Sequence, residues 1–379
     1  MADEHVMPQE ASREDAPEGA ERTIVPGGRR EPPEPRATVA QLGRFDALID
    51  VRSPAEFAQD HIPGAINCPV LDDEQRRIVG TVYKQVSAFE ARKLGAAMVA
   101  RNIAAHLDER FHDRPKRWRP LVYCWRGGMR SGSFVAWMRL IGWDAQQLQG
   151  GYKAWRGHVI ERLAALAPAL PLRVLCGPTG SAKTRLLAAL EARGEQVLDL
   201  EGLAAHRGSV LGALPGVEQP SQKAFETRLV DRIERFDLSR RVWVEAESRK
   251  IGRVSLPDPL LLRLRQSPVV EIAATPAARL AYLLRDYAWL GDDPARLQGQ
   301  LGLLRGLVSN ELLAQWQAWA AARELEPLFA GLMAQHYDPL YARSQRQNFA
   351  GLAGAHRLET DDLSEAGIEA LSDRIARLD

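Results

Sequence analysis

Cysteine is scarce, with three among 379 residues. Cys68, Cys124 and Cys176 form no Cys-x-x-Cys pair, which excludes a zinc ribbon and a disulfide scaffold and fits a reducing cytoplasm. Long apolar runs are also missing. Arg, Asp, Glu or Pro interrupts every stretch of about 18 residues, so a membrane-spanning helix is excluded. The opening residues MADEHVMPQEASRED have neither a basic start nor an apolar segment, and do not read as a secretory signal. No internal repeat of solenoid period is present. Excess charge of either sign is lacking too: 50 Lys and Arg face 49 Asp and Glu, for a net charge of +1.

That balance hides an asymmetry. Residues 1–38 hold nine acidic and five basic side chains, which leaves about +5 on the remainder. Two local clusters are basic, Arg114-Pro115-Lys116-Arg117-Trp118-Arg119 and Arg249-Lys250 with Arg253. Each reads as a solvated face or as a contact for RNA, and charge alone does not separate the two.

With 45% apolar and 26% charged residues, the chain has enough material for two or three packed domains. Residues 1–38 are rich in Pro, Glu, Gly and Ala and lack aromatics, so they predict a disordered tail. From residue 39 to about 160, short apolar runs (Ala47–Val51, Leu121–Cys124) alternate with helical patterns (Ala88–His106, Ser131–Ile141). That alternation predicts a parallel sheet with covering helices. Residues 161–171 predict a connector. A second α/β unit, 172–379, begins with the strand Leu172–Cys176. It continues through a helix at Lys183–Arg193 and strands at Gln196–Leu200, Arg241–Ala246 and Val269–Ala274. Residues 276–350 read as a helical insertion, and a strand at Arg357–Thr360 and a helix from about Glu365 to Leu378 close the chain.

Two loops carry chemistry. Cys124-Trp-Arg-Gly-Gly-Met-Arg130 sits between a strand and a helix, where backbone N–H groups and the helix N-terminus lower a thiol pKa and hold an anion. Gly127 and Gly128 let the loop curl, and Arg126 and Arg130 add cationic donors. Cys124, Arg126 and Arg130 are thus the candidate catalytic group, suited to a thiolate, persulfide or perselenide. Cys68 lacks such a loop and reads as packing.

The second loop is Gly177-Pro-Thr179-Gly180-Ser181-Ala-Lys183-Thr184, which follows a strand and opens a helix. It matches a Walker A phosphate loop. The N–H groups of Gly177, Thr179, Gly180 and Ser181 would cradle phosphate oxygens, Lys183 would supply charge, and Thr184 would face Mg²⁺. Ala182 departs from the pattern, which has glycine there; a helical backbone at this residue is the expectation that tolerates its methyl group. Glu245 and Glu247, closing a strand, are candidate Mg²⁺ ligands of the Walker B kind, or ion-pair partners of Arg249 or Arg241.

Asp50-Val-Arg-Ser-Pro-Ala-Glu-Phe57 with His61-Ile-Pro-Gly-Ala-Ile-Asn67 resembles the opening signature of rhodanese-type sulfurtransferase domains, and Gly150-Gly151-Tyr152 with Trp155 resembles their closing motif. His61 is expected to fix a turn. A rhodanese domain ahead of a P-loop domain resembles the tRNA 2-selenouridine synthase family over roughly residues 40–350. The likeness extends through Gly80–Gln85, Asp199–Leu203, His206–Ser209, Gln219–Gln222 with Phe225-Glu226, Glu245–Gly252 and His336–Tyr341. It implies an α/β chain: a rhodanese-like parallel-sheet domain, then a P-loop NTPase-like α/β domain with a helical C-terminal extension. It further implies a transferase that replaces sulfur by selenium in tRNA 2-thiouridine at wobble position 34. The co-substrates would be selenophosphate and geranyl diphosphate, with an S-geranyl intermediate. Mg²⁺ is a candidate cofactor, and no bound redox cofactor or membrane is expected. Selenophosphate synthetase is an expected partner. His206, Arg207, Ser209, Gln222 and Arg249 are candidate substrate or RNA contacts, with Lys223 beside them. Tyr287, Trp289 and Tyr337 read as base platforms or as core. The alternatives are a P-loop kinase or nucleotidase fused to a rhodanese sensor, and a non-catalytic adaptor.

Overall fold

A computed structural model describes residues 36–378. The expected tail therefore lies outside the described residues up to residue 35. Its last part does not behave as a tail: Ala37 is buried and bridges to Leu148, so order begins before Val39.

The first half runs β1 (Ala47–Asp50), α1 (Pro54–Gln59), β2 (Ile66–Asn67), α2 (Asp73–Gln85), α3 (Ala88–Arg110), β3 (Pro120–Tyr123), α4 (Met129–Ile141), β4 (Gln146–Gln147) and α5 (Gly151–Leu166). Its four strands pair in parallel in the order β2-β1-β3-β4. β3 is buried at every residue, as a sheet covered on both faces requires. α2 begins at a capping box, with the Asp72 carboxylate accepting from the Gln75 amide at 2.7 Å.

The expected connector is not a loop. α5 continues to Leu166, a 3₁₀ turn spans Ala167–Ala169, and Ala167 and Leu170 are fully buried. The second half follows with β5 (Leu172–Cys176), α6 (Lys183–Ala192), β6 (Gln196–Leu198), α7 (Leu200–Ala204), α8 (Gln222–Ile233) and β7 (Val242–Glu245). The strand β6 stops at Leu198 because Asp199 caps α7, its carboxylate accepting from the Gly202 amide at 2.8 Å. A small antiparallel hairpin, β8 (Lys250–Ile251) and β9 (Val254–Ser255), precedes α9 (Asp258–Gln266) and β10 (Pro268–Ala274). The helical region comprises α10 (Pro276–Asp286), α11 (Pro294–Leu301), α12 (Asn310–Ala322) and α13 (Leu325–Leu332). A π-helical turn (Met333–Tyr337) then leads into α14 (Asp338–Asn348). β11 (Gly351–Thr360) and α15 (Glu365–Ala376) finish the chain.

The second sheet is parallel, in the order β11-β10-β5-β7-β6. β5 thus lies in the middle, and the loop after it opens where neighbouring strands also end, the place such sheets hold ligands.

One apolar core crosses the junction: Leu121, Tyr123, Tyr152 and Val159 pack in the same cluster as Leu172, Val174, Phe225 and Leu229. Polar contacts reinforce it. The buried Asp60 carboxylate accepts from the Tyr152 hydroxyl at 2.7 Å and from the Thr227 hydroxyl of α8 at 3.1 Å. Arg156 of α5 pairs with Glu226 of α8.

Candidate functional site: a thiol loop and a phosphate loop with an apolar cavity

The Cys124 loop closes tightly against the start of α5. Gly151 has φ +58°, and a Cβ there would strike the Cys124 carbonyl. Backbone bonds from Tyr152 to the Cys124 carbonyl (2.9 Å) and from Lys153 to the Trp125 carbonyl (3.0 Å) fix the turn. The Cys124 sulfur accepts from the Gly128 amide at 3.3 Å and the Ser131 hydroxyl at 3.2 Å. Burial by itself would push this thiol up; the Ser131 hydroxyl, the Ser131 and Gly128 amides and the Arg130 charge outweigh it and hold the thiol below its ordinary value. Burial pushes Cys68 up to about 11 and Cys176 up to about 12, so neither is a competing thiolate. Arg130 pairs with Glu56 at 2.8 Å and reaches the thiol through its charge rather than a hydrogen bond. Arg126 is exposed and is not among the groups that shift the thiol. His61 stacks on Phe57 and its ring bonds the Phe57 carbonyl at 2.9 Å, which makes it a turn residue.

Ser131→Ala is expected to raise the pH at which Cys124 ionises. The midpoint is read from the ultraviolet thiolate absorbance, with a Cys124→Ala chain as the blank. Cys68 and Cys176 ionise far higher and leave that window clear. An unmoved midpoint would show that the hydroxyl does not support the thiolate.

In the phosphate loop, Lys183 turns back on the backbone, donating to the Gly177 carbonyl at 2.6 Å. The Ser181 hydroxyl donates to the Pro178 carbonyl at 2.7 Å. Ala182 is not helical. Its φ is +58°, the left-handed region where the glycine of the usual motif is unstrained, and alanine costs about 1 kcal/mol. α14 is tied to this loop at two points. Arg279 grips Asp338 with two nitrogens while its Nε donates to the Thr179 carbonyl at 3.0 Å, and the Tyr341 hydroxyl accepts from the Gly177 amide. The Lys183 ammonium lies 5.6 Å from the Tyr341 ring centre.

The loop opens into a cavity of about 450 Å³. Thr179–Thr184 line it together with Leu283, Phe329, Leu332, Met333 and Leu340, so phosphate donors and apolar side chains share one space. The π-helical turn supplies Met333, His336 and Tyr337 to this wall, a common use of such turns.

Three carboxylates stand beside Lys183. The Thr184 hydroxyl donates to Glu201 at 2.9 Å, and the Glu201 amide donates to Glu245 at 2.8 Å. Glu245 is fully buried and its Oε2 has no partner. Burial first, and the Glu201 charge next, push Glu247 up to about 8, so it holds a proton at neutral pH. The ion-pair alternatives are used elsewhere: Arg249 closes on Asp258 at 2.5 Å and Arg241 on Glu195 at 3.0 Å. Among the described residues no three His, Cys, Asp or Glu side chains stand at metal-binding spacing. The surplus acid and the free Glu245 oxygen are nonetheless a donor set that a divalent cation would neutralise.

The remaining candidates divide. Arg207, Ser209 and Arg249 line the cavity, with Arg207 bonded to Asp286 at 2.6 Å and lying 4.8 Å from the Tyr287 ring centre. Tyr287 and Tyr337 line it too, whereas Trp289 stacks behind Tyr287. His206 is buried outside the lining, bridged to Ala213, and burial lowers its pKa. Gln222 is taken up by scaffold: it bonds Glu226 and both backbone groups of Ser255. Sequence reasoning missed Tyr341, Arg279, Glu201 and the Phe329–Met333 wall as site residues; of these only Tyr341 and Glu201 lie in stretches that carried a family signal.

Two family models match the chain: a rhodanese-like domain over residues 35–158 and a tRNA 2-selenouridine synthase AAA domain over 170–302. A tRNA 2-selenouridine synthase of Nitrosomonas europaea is 41% identical over 296 residues, 76% of this chain and 74% of that protein. The chain belongs to the tRNA 2-selenouridine synthase family. A synthase of the same name from Cupriavidus necator is 36% identical over 351 residues, covering 83% of this chain and 93% of its own length. The AAA-domain match ends at residue 302, so the α13–α14 wall of the cavity lies beyond it. No helix of the described residues is long and apolar enough to cross a membrane.

Proposed function

We propose that this chain exchanges the sulfur of tRNA wobble 2-thiouridine for selenium, with selenophosphate as donor and S-geranyl-2-thiouridine as intermediate. The observation that carries the reading is the single space shared by the phosphate loop and the apolar wall. A nucleotide needs no such wall of Leu, Phe and Met; an allylic diphosphate needs both halves. The loop amides and Lys183 would bind the diphosphate, and the wall would exclude water from the allylic carbon. The thiouridine sulfur attacks that carbon, the C–O bond breaks, diphosphate leaves, and the base loses its N3 proton. Alkylation turns a poor leaving group into a thiol. The selenium of selenophosphate then attacks C2, geranylthiol departs, and water cleaves the Se–P bond, releasing phosphate and restoring the N3 proton. Cys124, whose loop stabilises chalcogen anions, positions the selenium. Where Mg²⁺ accompanies the diphosphate, Thr184, Glu201, Glu245 and Glu247 are the residues to hold it, and it would supply charge neutralisation.

The test is nucleoside mass spectrometry of 2-thiouridine tRNA incubated with the chain and geranyl diphosphate, selenophosphate, both or neither, with ATP withheld. Geranylated base with the first and selenouridine with both are the expected products. Unchanged tRNA throughout, with turnover once ATP and a small acceptor are added, would replace this reading by the kinase.

A further inference from the structure

The seam between the thiol loop and α8 carries three cations that no acid pairs with among the described residues. The exposed and half-buried acids there are already matched, Glu56 with Arg130 at 2.8 Å and Glu226 with Arg156, while the buried Asp50 pairs with Arg52 at 2.6 Å and the buried Asp60 accepts from the Tyr152 and Thr227 hydroxyls. Arg126, Lys153 and Lys223 remain. None has an acidic partner among the described residues. All three belong to the surroundings of one residue, Trp125, Lys223 by its side chain and the other two through the backbone. Arg126 follows Trp125 in the chain, the Lys153 amide is bonded to the Trp125 carbonyl at 3.0 Å, and the Lys223 ammonium lies 5.8 Å from the Trp125 ring centre. Trp125 is half-buried and is braced from behind by Tyr152, with ring centres 5.3 Å apart. It is also the residue after Cys124.

A braced indole flanked by unpaired cations is the chemistry of a single-stranded nucleic-acid contact, in which a base takes the π face and phosphates take the charges. The basic cluster at 114–119 lacks this arrangement. There Arg114 pairs with Asp113, Arg119 pairs with Asp46, and Trp118 is buried between Phe111 and Trp143.

We infer that Trp125, Arg126, Lys153 and Lys223 form the anticodon-loop contact, with a base on Trp125 and flanking phosphates on the three cations, so that the RNA crosses from the rhodanese half to α8 beside Cys124. This rests on the tRNA reading above and adds where the RNA lies.

The test is tRNA affinity of the full chain, measured by fluorescence anisotropy across a salt series. Arg126→Ala, Lys153→Ala and Lys223→Ala should each weaken binding several-fold and flatten the slope of log K against log salt by about 0.7. The triple variant should lose roughly 100-fold or more, by the same counterion release from three sites. Trp125→Ala should lose about 5- to 100-fold, and Trp125→Phe should recover most of it. Lys116→Ala with Arg117→Ala should bind as the parent does. A folded triple variant, checked by circular dichroism, that binds within twofold of the parent would overturn the inference while leaving the function standing. A parent chain that binds no tRNA would overturn both.

Discussion

Cys124→Ala is expected to abolish selenium incorporation, by roughly 10³-fold or more, as loss of a group that engages the reacting atom does in other enzymes. Formation of the S-geranyl base should continue at the parental rate. The separation follows from geometry: the thiol loop belongs to the first sheet, and the cavity is built entirely from the second half. Cys124 also packs in the core of the first half with Val122, Phe134 and Met138, so alanine leaves a small void. Cys124→Ser keeps the volume and removes the soft sulfur, and it should show the same split. The measurement is mass spectrometry of nucleosides after reaction with both co-substrates, where geranylated tRNA should accumulate. Full selenation by either variant would end the role of Cys124 in placing the selenium.

Lys183→Ala is expected to reverse that split. Its ammonium is the cation directed into the phosphate loop, and burial lowers its pKa without a carboxylate bonded to it. Removing one such donor at a developing diphosphate charge costs about 100- to 1000-fold in rate. Geranylation should fall by that factor, while tRNA supplied already geranylated should be selenated normally. If the variant geranylates at the parental rate, the diphosphate binds elsewhere.

Much of this was legible in the sequence, for a physical reason. Buried parallel strands read as apolar runs, and both loops sit at strand-to-helix junctions whose chemistry is local. β3, β5, β7 and β10 accordingly fall within a residue or so of expectation. α2 escaped although two signals were there, Ile78, Val79, Val82 and Tyr83 at helical spacing and the Asp72–Gln75 capping box. The backbone of Ala182 escaped as well, since a conformation imposed by tertiary context leaves no pattern. The cavity was the least legible part. Gly180 meets Leu283, and Gly177 meets Tyr341, across 103 and 164 positions of chain. No local window holds such a pairing.

The continuous core across residues 161–171 has a consequence for how this molecule is handled. Leu170 and Ala167 are as buried as any strand residue, and Asp60 serves one hydroxyl from each half. Cutting the chain there would expose apolar surface on both pieces and take from the Thr227 hydroxyl its Asp60 acceptor, at about 1–3 kcal/mol. The halves are therefore not interchangeable modules. They should melt in one cooperative step, and a rhodanese fragment expressed by itself would inherit an open face where its neighbour belongs.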